Sequence, residues 1–376
     1  MHNPALPFVQ AIAPYHGGRP IAEVARQFGL AEDQIVKLAS NENPLGMSPR
    51  GRQAMLAASE DLGRYPDGNG HDLKAALAKR FGLPSDWITL GNGSNDILEL
   101  VARSFLTEGR SSLFSAHAFA VYALATQATG ARAIVVPAKA TDLGHDLAAM
   151  RAAVCADTAV VWVANPNNPT GSFLQAHALE AFIAEMPRET LVVLDEAYVE
   201  YLDPSEAIPS FEWVGRYPNL VVSRSFSKAY GLAGLRVGFG VAQPWVTDLL
   251  NRVRQPFNVN SLAMAAAAES LFDDEFLGRT ATLNAQGLAF LSEALRARGF
   301  NPLPSKGNFL LVDLRPRLEP SAERPSVGVW LFEQLMARGV ITRPVANYGL
   351  PHHLRISIGT RDELIALLKA LDALLG

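Results

Sequence analysis

The chain has 376 residues, with 33 Lys+Arg against 37 Asp+Glu and a formal net charge of −4. This near balance argues against a nucleic-acid binder, which carries a basic excess or a basic face. Hydrophobic residues make up 49% and charged residues 19%, a globular composition that excludes disorder as the main character. At ~100–200 residues per domain the length predicts two domains.

Cys155 is the single cysteine, so no intrachain disulfide can form and no thiolate cluster can hold zinc or an iron–sulfur centre. The opening MHNPALPFVQAIAPYHGG lacks a basic region followed by an apolar stretch and a small-residue cleavage site. The apolar run from Leu262 to Ala268 falls far short of the ~20 residues that cross a bilayer. A cytoplasmic protein without membrane or nucleic-acid partners is the expectation.

In chain order, residues 1–38 show no strong pattern beyond a short helix around Ile21 to Phe28, and read as an N-terminal arm. Residues 39–258 alternate helical stretches with short β-branched runs. Helices are predicted from Ser94 to Thr107, Phe119 to Thr129 and Gln175 to Met186. Strands are predicted at Ala133 to Val136, Ala159 to Val163, Leu191 to Leu194 and Leu220 to Val222. These runs are apolar on both faces, as in strands buried between two helix layers. Residues 259–376 change texture: one long helical stretch from about Leu262 to Arg298, strands at Asn308 to Val312, Val340 to Arg343 and Leu354 to Ile358, and a last helix from Arg361. The fold class expected is α/β, a large domain with a mostly parallel sheet between helix layers, joined to a smaller α+β domain.

Polar groups collect just after the buried strands, where open α/β sheets bind ligands. Gly91-Asn92-Gly93-Ser94-Asn95 precedes a helix for which Ser94 is a good cap. It reads as a phosphate cup at a helix N-terminus, or as an ordinary capped turn. It is neither a dinucleotide fingerprint nor a P-loop, since the third glycine and the Gly-Lys-Ser/Thr are absent. Asp195 emerges where an apolar strand ends. A carboxylate there calls for a cationic partner, such as a protonated pyridine nitrogen; an Asp opening a loop is the plainer reading of that residue alone. Lys228, within Ser225-Phe226-Ser227-Lys228, is placed to form a Schiff base with an aldehyde cofactor or is a solvated lysine. Arg236 could grip a phosphate with both arms of its guanidinium. The pair His352-His353 lacks helical ligand spacing, so no metal is expected. No Gly-x-Ser-x-Gly elbow supports a serine hydrolase.

Each piece is weak alone, but their order is informative: Asn41-Glu42-Asn43-Pro44, Tyr65-Pro66, Gly91 to Asn95, Asn165 to Gly171, Asp195 to Tyr198, Ser225 to Lys228, Gly234-Leu235-Arg236 and Leu354 to Thr360. This series resembles the fold type I pyridoxal-phosphate aminotransferases, and closely the histidinol-phosphate aminotransferase family. The resemblance implies that Lys228 holds pyridoxal 5'-phosphate and moves the substrate proton, and that Asp195 keeps the pyridine nitrogen protonated. Asn168 and Tyr198 would bond the ring's phenolic oxygen. Ser94, Asn95, Ser225, Ser227 and Arg236 would hold the phosphate. Phe119 would cover the ring face, where many relatives have Pro-x-Tyr in place of His117-Ala118-Phe119. Tyr65 would reach the cofactor phosphate of a neighbouring copy in a homodimer.

For the substrate, the resemblance points to Tyr15, Asn43, Arg343 and Arg355, with Arg343 and Arg355 sharing a phosphate too highly charged for one arginine. It implies transamination between L-histidinol phosphate and 2-oxoglutarate, in histidine biosynthesis. Two rivals on the same scaffold are an aromatic amino-acid aminotransferase, with Arg355 on a carboxylate, and a phosphothreonine decarboxylase-like enzyme. A cofactor-binding regulatory domain without turnover sits poorly with Lys228 and Asp195 both present.

Overall fold

The computed structural model describes residues 4–14 and 17–376. Strand β1 (Val36–Lys37) comes first. The next seven, β2 (Ile88–Gly91), β3 (Ser111–Ser115), β4 (Arg132–Val136), β5 (Thr158–Ala164), β6 (Leu191–Asp195), β7 (Leu220–Ser225) and β8 (Gly238–Val241), form one sheet in the order β2-β8-β7-β6-β5-β3-β4. β8 is antiparallel to both of its neighbours, and the other pairs are parallel. The carboxyl ends of β2, β5, β6 and β7 therefore share one edge.

Alternate side chains of the central strands enter opposite cores, which is why these strands are apolar throughout. Val161 and Val163 of β5, with Val192 and Leu194 of β6, pack into one cluster beside Trp213 and Phe226. Val160 and Trp162, with Leu191 and Val193, pack into the other beside Leu98 and Tyr122. The run around Val135 reads like these strands, yet β4 lies at the sheet edge and Val135 is 54% exposed. Apolarity marks a strand without fixing its place in the sheet.

A second sheet follows from β9 (Asn301–Pro302), β10 (Phe309–Asp313), β11 (Val340–Ile341), β12 (Arg343–Pro344) and β13 (His353–Ser357). Four of them form an antiparallel sheet ordered β12-β13-β10-β9, while β11 pairs with β1. Its core contains Leu291, Leu310, Ile356 and Leu367.

Three expectations change. The segment read as an arm is docked from residue 21 onward: Val24, Ala25 and Ile35 bury against Met336 and Ile341, and β1 extends β11. The long helical stretch is two helices, Ser261–Ser270 and Asp274–Ala297, because Asp273 turns its carboxylate to cap the N–H of Phe276. The first of these helices packs into the larger core through Ala263, Ala266, Ala267 and Leu271, so the larger core extends beyond residue 258. Its small side chains admit the helix Pro49–Ala58 so closely that a Cβ at Gly51 would strike Ser270 Oγ.

The turn after Lys228 depends on Gly231, whose φ of +70° suits glycine and whose N–H donates to Lys228 O at 3.0 Å. A Cβ there would penetrate Gly46 O. Gly231→Ala should therefore lower stability by at least about 2 kcal/mol, read as a drop in the urea midpoint. An unchanged midpoint would show that this turn relaxes at no cost.

Candidate active site

The carboxyl edge of the large sheet and one face of the small sheet enclose a cavity of about 260 Å³. Twelve of the residues singled out from sequence line it: Ser94, Asn95, Phe119, Asn168, Asp195, Tyr198, Ser225, Ser227, Lys228, Arg236, Arg343 and Arg355. They are separated by up to 261 residues in sequence and brought together by the order of the large sheet's strands and by the small sheet packed against it: β5 leads into Asn168, β6 ends in Asp195, β7 ends in Ser225, and β12 and β13 carry Arg343 and Arg355.

Asp195 is 5% exposed, and burial raises its pKa to about 6. The Tyr122 hydroxyl donates to Oδ2 at 2.9 Å, whereas Oδ1 is buried without a hydrogen-bond partner. The adjacent Glu196 turns away: it is fully buried in an ion pair with Arg224 at 2.8 Å and accepts from Ser210 Oγ at 2.9 Å. Strand alternation sends successive acids to opposite sides, so only the first belongs to the cavity.

Lys228 donates from Nζ to Ser40 O at 3.1 Å. Burial, assisted by the charges of Arg355 and Arg236 and opposed by Glu42, lowers its pKa to about 8. Tyr198 is pushed up to about 12, mainly by burial. Its oxygen accepts from Asn41 Nδ2 at 3.0 Å, and the Asn41 amide orientation is fixed in turn. Ser357 Oγ accepts from Asn41 N–H at 2.8 Å and donates to Asn41 Oδ1 at 2.8 Å, leaving the amide nitrogen to face Tyr198. Asn41 holds a φ of +56°, a region asparagine tolerates better than most residues.

At the opposite end, the guanidinium of Arg236 lies over the start of the helix Ser94–Phe105. A Cβ at Gly93 would meet Arg236 Nη2 at 2.5 Å, and one at Gly238 would meet Ser94 N at 2.5 Å. Arg236 also donates to Ser227 Oγ at 3.3 Å. Ser94 is not the cap expected from sequence: Gly93 occupies that position, with φ +82° and no side-chain cap bond. The helix N-terminus thus keeps its N–H groups toward the cavity, beside serines and a cation, which suits an anion.

On the small-sheet side, Arg343 and Arg355 are direct cross-strand partners. Arg355 is 6% exposed, donates to Asn168 Oδ1 and to Ala39 O, both at 2.6 Å, and lies over the Phe309 ring at 5.5 Å. These bonds fix the plane of its guanidinium.

Of the remaining sequence choices, one falls elsewhere, one was expected to serve a second copy, and one is outside the described residues. Asn43 does not line the cavity; its amide donates to Ala229 O at 2.8 Å and Thr280 Oγ1 at 3.1 Å, and its oxygen accepts from Leu45 N–H. Within the same motif it is Asn41 that faces the site. Tyr65 is 82% exposed and stacks on Phe257 with centroids 4.7 Å apart, outside the cavity. Tyr15 lies outside the described residues. Sequence reading missed Tyr122, three residues beyond Phe119 on the same helix, and the lining residues Ser40, Asn41 and Glu42. Glu42 is paired with Lys37 at 2.9 Å. No cluster of three or more His, Cys, Asp or Glu that could hold a metal occurs among the described residues.

Residues 33–371 match the family described as aminotransferase class I and II. The chain is 58% identical to histidinol-phosphate aminotransferase 2 of Ralstonia nicotianae, over 98% of this chain and 96% of that one. It is 57% identical to histidinol-phosphate aminotransferase 1 of Cupriavidus pinatubonensis, over 97% and 95%. Its fold superimposes, with a TM-score of 0.88 and 30% identity over 100% of this chain and 98% of the other, on the crystal structure of histidinol-phosphate aminotransferase from Sinorhizobium meliloti in complex with pyridoxal 5'-phosphate. With the carboxylate, the lysine and the arginines gathered in one cavity at the strand ends, the chain belongs to the class I and II aminotransferases, in the histidinol-phosphate aminotransferase family.

Proposed function

We propose that the protein catalyses pyridoxal-phosphate-dependent transamination between L-histidinol phosphate and 2-oxoglutarate, giving 3-(imidazol-4-yl)-2-oxopropyl phosphate and L-glutamate, a step of L-histidine biosynthesis. The observation that carries the substrate is the register of Arg343 opposite Arg355, both lining the cavity. Two guanidiniums directly across a ladder repel one another. Two guanidiniums side by side suit a phosphate, close to dianionic at neutral pH, better than a singly charged carboxylate.

The residues present fit pyridoxal phosphate. A ring N–H would satisfy Asp195 Oδ1, which is otherwise buried without a partner. The glycine-lined cradle at Gly93 and Gly238, with Ser94, Asn95, Ser225, Ser227 and Arg236, would take the phosphate. When bound, the cofactor supplies an electrophilic carbon for the amine and a protonated ring that takes up the electron pair left when the substrate's Cα–H bond breaks. Lys228 moves the proton at Cα, as an amine whose lowered pKa leaves it partly neutral near pH 8. Tyr198 and Asn168 would bond the ring's phenolic oxygen, Phe119 would cover a ring face, and Arg343 and Arg355 would orient the substrate. Glutamate delivers the amino group in a separate half-reaction, so ping-pong kinetics follow.

The same reading gives a cytoplasmic homodimer. Exposed Tyr65 stacked on exposed Phe257 forms an aromatic patch for a second copy to cover, with Tyr65 directed at that copy's cofactor phosphate. No helix among the described residues is long and apolar enough to cross a membrane.

The half-reaction tests the substrate: cofactor-loaded protein mixed with L-histidinol phosphate should lose its visible absorption band much faster than with L-phenylalanine, and the reverse order would make this an aromatic aminotransferase. Arg343→Ala should weaken histidinol phosphate by about 10- to 100-fold while leaving phenylalanine little changed. Equal losses for the two amines, read as KM in the same assay, would remove Arg343 from phosphate recognition. Lys228→Ala should still bind cofactor by equilibrium dialysis but show no turnover, and substantial residual activity would overturn the proton-transfer role. Because the reactive form of Lys228 is neutral and its pKa is lowered from 10.5 to about 8, cofactor capture by the apoprotein should speed up with pH and level off above about pH 8. A rate still climbing up to the ordinary lysine value would contradict the effect of burial.

A further inference from the structure

Beyond the residues that touch the cofactor or substrate, one buried hydroxyl bears on the site. Tyr122, on the helix Ala120–Ala128, is fully buried. It lies flat on Trp162, with centroids 5.4 Å apart and planes 4° apart, and edge-on to Phe119 at 5.9 Å. Its hydroxyl donates to Asp195 Oδ2 at 2.9 Å. Burial, and the charge of Asp195 beside it, hold its pKa well above the ordinary phenol value, so the group remains a donor over the working pH range. The ring cannot turn away without breaking the Trp162 stack.

We propose that Tyr122 is a positioning residue for the cofactor ring: by occupying Oδ2 it keeps the Asp195 carboxylate ionised and leaves Oδ1 to receive the ring N–H. This rests on the cofactor assignment above and extends it. A carboxylate at a buried strand end takes up a proton unless donors or cations hold it ionised. The titratable groups facing Asp195 are Tyr122 from its helix, Tyr198 from the following turn and Lys228 from the loop after β7, while Glu196, turned to the other side of the strand, acts only through its charge. Burial and Glu196 favour the protonated acid, whereas Tyr122, the Ala197 backbone N–H and Lys228, in that order, favour the carboxylate. Lys228 is committed to the cofactor's carbon once the cofactor is bound. Tyr122 is then the side-chain donor that stays with the carboxylate.

Tyr122→Phe keeps the ring and the stack and removes one O–H. The apoproteins of wild type and variant are titrated with pyridoxal phosphate across roughly pH 5 to 9, with binding followed by tryptophan fluorescence. Wild-type affinity should fall as pH drops through about 6, where Asp195 titrates. In the variant the fall should begin about one pH unit higher, with the two affinities converging at alkaline pH. A uniform loss of affinity at every pH, or an unmoved acid limb, would reduce Tyr122 to packing and overturn the proposal. In an Asp195→Asn background the same substitution should leave the pH profile in place, and a shift there would put the titrating group elsewhere. Failure of wild type to bind at any pH would remove the cofactor reading itself. Binding with an unmoved acid limb sinks only the role of Tyr122.

Discussion

A carboxylate placed at the end of a strand that is buried on both faces has to be compensated, and much of this molecule follows from how Asp195 is. Taking an ionised acid out of water costs several kcal/mol in real proteins, on the order of a domain's whole stability. One oxygen is met by the Tyr122 hydroxyl, which needs the helix after Phe119 to pack its ring on Trp162. The other is buried without a hydrogen-bond partner. The sheet on which these groups stand must be rigid for that arrangement to persist, and its central strands contribute apolar side chains to both helix layers.

The second constraint is electrostatic and lies across the cavity. Lys228, Arg236, Arg343 and Arg355 face it, against the carboxylates of Asp195 and Glu42. So many cations around one enclosed space suit anionic ligands. They are divided in space: Arg236 stands at a helix N-terminus and Arg343 with Arg355 on the small sheet. The division sets positive charge at two separate places, with the Lys228 amine lining the same cavity. The stretch Ala39 to Glu42 joins the two sides, since Ala39 O accepts from Arg355, Ser40 O from Lys228, and Asn41 donates to Tyr198. A shift of the small sheet would therefore be felt directly at the lysine and the tyrosine.

Much of the site was legible from residue order, because the chemistry after each buried strand is local. Asp195, Lys228 and Ser225 sit within a few residues of runs that declare themselves as strands. Tyr122 was not legible in the same way, since a tyrosine in an Ala-rich helix looks like core and becomes informative only when its hydroxyl is seen against Asp195. Asn43, named for the substrate, and Asn41 are both buried, and sequence does not show that it is Asn41, at positive φ, that lines the cavity.

Strand and helix alternation, the cofactor-type motifs and their order were readable from residue order, because hydrophobic period and local turn chemistry act over a few residues. Tertiary packing set β4 as an exposed edge, docked residues 21–38 against the smaller domain, placed Gly93 rather than Ser94 at the cap position of the helix Ser94–Phe105, and stood Arg343 opposite Arg355. Each of those depends on which distant segment packs alongside, and that contact is set by the burial of the whole chain rather than by neighbours in sequence.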